Sequence, residues 1–209
     1  MLWVLRSPSE CHVIPTTLRA GALAASLFCL IPTPADARQV PPATHDYRVL
    51  ATTRTATMEK EMNQAADAGY RFRLVMGGET AAGNEVVAVM ERSSEPGTRY
   101  QYRLLATSRT STMQRELQDA SEAGYDYVGQ TIFESTFGGD QVTCILERVV
   151  GGRPQPRFTY RMLATSRTST LQKELQTAAA EGFEAVGLTI GKTAVGGNEL
   201  VTIVRRPLK

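Results

Sequence analysis

Reactive side chains are scarce in this sequence. Its 209 residues include 3 cysteines, 2 histidines and 1 tryptophan, and Cys11, Cys29, His12 and Trp3 all fall within residues 1–37. Beyond them stand only Cys144 and His45, too few for an internal disulfide or for a metal cluster of thiolates and imidazoles. Charge of one sign is also lacking. Lys plus Arg number 23 against 21 Asp plus Glu, a formal net charge of +2, which gives no bias toward nucleic acid or an anionic membrane. Basic residues interleaved with stacking aromatics do not form a stripe. No phosphate-cradling GxxxxGK, nucleophile elbow or HExxH motif is present. Glu61, Glu116 and Glu174 each follow directly on a Lys or Arg (Lys60, Arg115, Lys173). They are spaced for a surface helix network rather than as two acids facing one bond. The composition, 42% hydrophobic and 21% charged, is that of an ordinary globular chain and excludes a disordered, collagenous or multi-span one.

Long apolar runs are missing too. The longest is Ala20 to Ile31, flanked upstream by Arg6 and Arg19 and followed by the small residues Ala35 and Ala37. It falls short of the roughly 20 residues that span hydrocarbon, and its setting is that of a secretory signal peptide with cleavage after residue 37. The expected product is periplasmic or secreted, with no stable membrane span after cleavage, and its net charge is unchanged because Arg6 and Arg19 balance Glu10 and Asp36. Residues 38–45 read as a Pro-rich lead-in, with His45 solvated.

What is present in abundance is repetition. Tyr47–Tyr70, Tyr102–Tyr125 and Tyr160–Phe183 are copies spaced 55 and then 58 residues apart, and 18 of 28 positions agree without a gap between Tyr102–Gly129 and Tyr160–Gly187. All 10 prolines lie outside the repeats, where the chain need not continue a ladder or a helix. The short linkers Ser93–Arg99 and Val149–Arg157 leave the units little freedom to act as separate beads.

Within a copy the hydrophobic period changes in order. Tyr47–Thr52, Tyr102–Thr107 and Tyr160–Thr165 read as strands. Met58, Met62, Ala65 and Ala66 then recur at helical spacing, as do Met113, Leu117, Ala120 and Ser121, and Leu171, Leu175, Ala178 and Ala179. Ser111 with Gln114, and Ser169 with Gln172, have capping-box spacing, and Gly69, Gly124 and Gly182 stand where a helix C-terminus favours left-handed backbone. Two β-rich stretches follow, joined at Gly83-Asn84, Gly138-Gly139-Asp140 and Gly196-Gly197-Asn198. Both alternating sets of the last strands are apolar, so both sheet faces need cover. The expected fold is α+β: three tandem βαββ repeats over 46–92, 100–148 and 158–206. They are expected to pack as one pseudo-threefold body with sheets inward and helices outward.

The aromatic-led first strand, the Gly-aromatic pairs Gly124-Tyr125 and Gly182-Phe183, and last strands ending in Glu91-Arg92 and Glu147-Arg148 resemble small bacterial βαββ domains of unknown function. That resemblance implies a fold and no activity.

The candidate chemistry lies between first strand and helix. Arg54-Thr55, Arg109-Thr110-Ser111 and Arg167-Thr168-Ser169 place a guanidinium and hydroxyls at a helix N-terminus, which suits a small anionic ligand. The competing reading is structural, with hydroxyl caps and with Arg54, Arg109 and Arg167 paired to Glu61, Glu116 and Glu174. Arg48, Arg103 and Arg161 read as solvated strand arginines, and Cys144 as a core residue. Together these features lead us to expect an exported, non-enzymatic binding or scaffolding protein with no cofactor. Its partner is an unknown protein or a small anion, and an enzyme of unrecognised type is the remaining alternative.

Overall fold

The alternation of strand and helix periods is realised three times over. In the computed structural model, which describes residues 45–107, 109–134, 140–151, 156–192 and 197–208, the first unit comprises β1 (Tyr47–Thr52), α1 (Thr55–Asp67), β2 (Tyr70–Thr80) and β3 (Gly83–Arg92). The second has β4 (Arg99–Thr107), α2 (Thr110–Glu122), β5 (Asp126–Glu134) and β6 (Asp140–Val150). The third has β7 (Phe158–Thr165), α3 (Thr168–Ala180), β8 (Glu184–Lys192) and β9 (Asn198–Pro207). The signal-peptide and lead-in readings fall on residues 1–44, outside the described residues. Among those described, no helix is long and apolar enough to cross a membrane.

Each unit is a three-stranded antiparallel sheet with its last strand in the centre, in the orders β1-β3-β2, β4-β6-β5 and β7-β9-β8. The first two strands of a unit therefore run parallel on opposite edges, and the helix carries the chain between those edges. Each helix stops at a glycine with positive φ, Gly69, Gly124 or Gly182, a conformation that other residues adopt only at a cost. The first hairpin turns on Ala81-Ala82, with Thr80 paired to Gly83. Gly83-Asn84 is thus not the turn but the start of β3. The corresponding glycines at 138, 139 and 196 lie outside the described residues. Every second strand carries a bulge at the same repeat position, between Phe72 and Leu74, Tyr127 and Gly129, and Ala185 and Gly187. Such a bulge sharpens the local twist.

The cores do not lie inside single units. One joins Met58, Met62, Ala65 and Ala66 of α1 with Tyr102 and Leu104 of β4, and the next joins Met113, Leu117 and Ala120 of α2 with Phe158 and Tyr160 of β7. The third holds only Ala178, Phe183 and Val204 as buried members. At ~1.5–3 kcal/mol per buried large side chain, the two shared cores contribute most of the hydrophobic stabilisation. Sheets also meet along β2, β5 and β8, and residues of all three units line one cleft.

The α+β class and the three tandem βαββ repeats are therefore present, in one body. Two features of the packing position the joints. Among the described residues, the most extensive contacts between units run from each unit to the next, and α1 and α2 lie over the next unit's first strand. The physical reason is that β4 and β7 are edge strands with unpaired backbone groups, and a helix side covers them.

Candidate functional site

The arginine loops come first. Arg54, Arg109 and Arg167 each occupy the N-cap in extended conformation, without a side-chain cap hydrogen bond. Thr55, Thr110 and Thr168 are the first residues of their helices, and Ser111 and Ser169 are exposed. The hydroxyl that serves each loop sits two residues upstream. The backbone N–H of Arg54 donates to Thr52 Oγ1 at 3.2 Å, that of Arg109 to Thr107 Oγ1 at 3.1 Å, and that of Arg167 to Thr165 Oγ1 at 3.4 Å. The expected capping boxes do not form, because the N-caps are Arg109 and Arg167, and Ser111 and Ser169 are already the second residues of their helices. Among the described residues, no ion pair joins Arg54 to Glu61, Arg109 to Glu116 or Arg167 to Glu174; all three guanidinium-bearing residues are exposed.

The first loop borders a cleft. This cleft of about 560 Å³ is lined by Arg54, Gly77, Gly78 and Glu85 of the first unit, Phe133 and Asp140 of the second, and Ile190 of the third, among others. Among the described residues its polar lining is mixed in sign, with Arg54 against Glu85 and Asp140. Arg109 and Arg167 do not line it.

The most developed polar chemistry lies at the joints between units. At the first joint, Asn63 of α1 donates to the Tyr102 carbonyl at 2.9 Å and accepts from the Tyr102 N–H at 2.9 Å, while Glu59 accepts from the Leu104 N–H at 2.7 Å. At the second, Gln114 of α2 donates to the Tyr160 carbonyl at 2.6 Å and accepts from the Met162 N–H at 2.7 Å. Gln118 accepts from the Tyr160 N–H at 3.3 Å. Two helix side chains thus satisfy the outer backbone groups of an edge strand, which would otherwise be buried unpaired.

A phenol bridges each joint from the other side. Tyr102 Oη accepts the Phe72 N–H at 2.7 Å and donates to Glu147 at 2.8 Å; Tyr160 Oη accepts the Tyr127 N–H at 2.9 Å and donates to Asp126 at 2.5 Å. Beside each phenol an ion pair crosses the joint, Arg71 to Glu147 at 2.8 Å and, with the signs exchanged between units, Arg205 to Asp126 at 2.5 Å. Burial pushes both phenols above their ordinary value, and the neighbouring carboxylates add to the shift. Burial opposes the charge on Arg205, but Glu184 and Asp126 outweigh it and hold that group above its ordinary value.

Other arginines stand over rings: Arg48 and Arg92 over Tyr70, and Arg161 over Phe183. Arg161 also binds Glu181 at 2.6 Å, so it is less free than its sequence position implies. His45 is exposed, yet its Nδ1 contacts Glu91 and its ring stacks on Tyr47. Cys144 is fully buried, and burial pushes its thiol up, away from the reactive thiolate.

The residues that sequence reasoning missed are Glu59, Asn63, Gln114 and Gln118. Their signal was available: polar residues recur at these two helix positions, and α3 repeats them as Gln172 and Gln176. The class defined by this geometry is an α+β protein of tandem βαββ units joined helix to edge strand. Comparison with family models, curated proteins and solved structures finds no match to the chain.

Proposed function

We propose that this is an exported, non-enzymatic binding or scaffolding protein that works by noncovalent docking at the ends of its row of units. The observation that carries this reading is exposure at the first unit. Tyr47 and Val49 are 55% and 63% exposed, whereas Tyr102 and Tyr160, at the position of Tyr47, are 2% exposed. Isolated apolar residues on a surface mean little, but a contiguous face that is buried elsewhere in the same chain points to a partner. Site-specific photo-cross-linking in the native envelope tests it. Adducts to protein are expected from a probe at position 49 and not from one at Asp67 on the outer side of α1; equal labelling at both, or none at 49, overturns it.

A second reading is favoured by the cleft. Arg54, with the exposed hydroxyl of Thr53 beside it, suits a small polar or anionic ligand, and Gly78 leaves open space in its wall. Such a ligand raises the melting temperature with a dependence RT ln(1 + [L]/Kd). In a thermal-shift series of phosphate, sulfate, sugars and nucleotides, stabilisation that Arg54→Ala removes and Arg109→Ala leaves intact supports the cleft. Loss in Arg54→Ala, Arg109→Ala and Arg167→Ala alike favours the arginine loops as equivalent sites, and no stabilisation by any compound overturns both forms.

A further inference from the structure

The two ends of the row are the two halves of one joint. Counted by repeat position, Gln172 and Gln176 of α3 correspond to Gln114 and Gln118 of α2, the pair that holds β7, and all four are glutamines. On α2 they bond the backbone of Tyr160 and Met162; on α3 they are exposed, as is Ala179, whose counterparts Ala66 and Ser121 are buried. At the opposite end β1 is an edge strand, and its Tyr47 and Val49 correspond to Tyr102 and Leu104 and to Tyr160 and Met162. No helix covers its outer side among the described residues. A strand-binding helix without a strand and a helix-bound type of strand without a helix thus occur in the same chain.

We infer that α3 of one copy of this chain docks on β1 of a second copy through the joint already used twice within the chain. The inference rests on the docking reading above and names its partner. Side-chain size supports it independently. Inside the chain, the Phe72 ring stands against Gly129 and the Tyr127 phenol against Gly187, so closely that a Cβ at either glycine would overlap the ring. The preceding unit supplies the bulk and the following unit supplies none. At the two ends the sizes are exchanged: Ala185 stands at the position of Phe72 and Tyr127, and Leu74, 67% exposed, at the position of the two glycines. A third-unit Ala185 facing a first-unit Leu74 keeps the large-against-small fit.

One element of the internal joints is not reproduced. The positions that pair as Arg71–Glu147 and Asp126–Arg205 become Glu184 and Glu91 across two copies. Each of these carboxylates has its own cation, Arg205 for Glu184, and Arg73 with His45 for Glu91. The joint between copies therefore lacks a crossing ion pair and is weaker than those within a chain. Because its two faces differ, the contact is heterologous, and it extends the row or closes it into a ring.

Sedimentation velocity of the purified chain over a concentration series tests this, with two variants at exposed positions. Val49→Lys blocks the strand end, and Ala179→Arg blocks the helix end while keeping a good helix former. The expected result is concentration-dependent association of the unmodified chain and at least about tenfold weaker association of either variant alone. The two variants mixed should give 1:1 dimers and nothing larger, with unchanged circular dichroism and melting temperature for each as monomer. If Val49→Lys misfolds, Tyr47→Ala replaces it. A chain that stays monomeric to ~1 mM, a variant that associates as the unmodified chain does, or variants that fail to pair when mixed overturns the inference. The wider reading survives such a result if position 49 still cross-links to a different protein, and falls with it if position 49 labels nothing.

Discussion

Tyr102 and Tyr160 each accept a backbone N–H from the preceding unit and donate to a carboxylate, so each hydroxyl is used twice at a buried joint. Tyr102→Phe leaves the Phe72 N–H and one Glu147 oxygen without that partner, and a loss of about 1–3 kcal/mol in urea unfolding is expected. The same burial sets the pH response. The phenols of Tyr102, Tyr127 and Tyr160 are raised above the ordinary value of 10.0. Their contribution is fully present below pH 10 and is lost as pH rises above it, because the unfolded chain then releases those protons first. The carboxylates run the other way. Arg92 and Tyr70 lower Asp46 from 3.8, His45 and Arg73 lower Glu91 from 4.5, and Arg161 lowers Glu181 from 4.5. Their stabilisation is present above those values and is lost as pH falls below them. Melting temperature followed from pH 3 to 11 is expected to be flat in the middle and to drop at both ends, with a smaller alkaline drop in Tyr102→Phe. At Gly187, substitution by Ala meets the Tyr127 hydroxyl and ring and the Gln130 side chain; a cost of about 1–3 kcal/mol in urea unfolding is expected. The arginine loops were visible in the sequence because Arg and the following Thr recur at matching positions in all three units, with Ala56 in place of Ser111 and Ser169. The amides that bind the edge strands were not, because a polar residue on a helix reads as solvated surface, and their partners lie 39 to 48 residues further along.

Helix α3 is where sequence and environment part. Its repeat predicts the same apolar face as α1 and α2, yet only Leu171 and Ala178 are buried, against Met58, Met62, Ala65 and Ala66 in α1. Element order and the glycine stops could be read from period and punctuation, since these depend on residues close in sequence. What covers a face depends on the neighbouring unit, and among the described residues no first strand lies against α3 as β4 lies against α1 and β7 against α2. Amide hydrogen exchange should record this difference. In dilute protein, amides of α3 are expected to exchange faster than those of α1 and α2, and concentrating the protein should slow α3 and β1 together. Met62→Ala, at a fully buried position of the first shared core, is expected to cost about 2–5 kcal/mol, whereas Leu175→Ala in the open third helix should cost less.

At the scale of the molecule, the apolar residues on both faces of the central strands lead us to expect units that do not stand alone, and two of the cores are shared between units. The sequence does not reveal which elements form the joints, since three near-identical copies are compatible with more than one packing. The end-specific residues, Leu74 for glycine and Ala185 for an aromatic, mark the two ends only once the joints are seen. The central claim is that the shared joints, and not the separate units, hold the described body together. Differential scanning calorimetry of the chain, dilute enough to keep copies apart, tests it most directly. One transition is predicted, with the calorimetric enthalpy equal to the van't Hoff enthalpy. Two or three resolved transitions, each with the enthalpy of a single unit, would contradict the account.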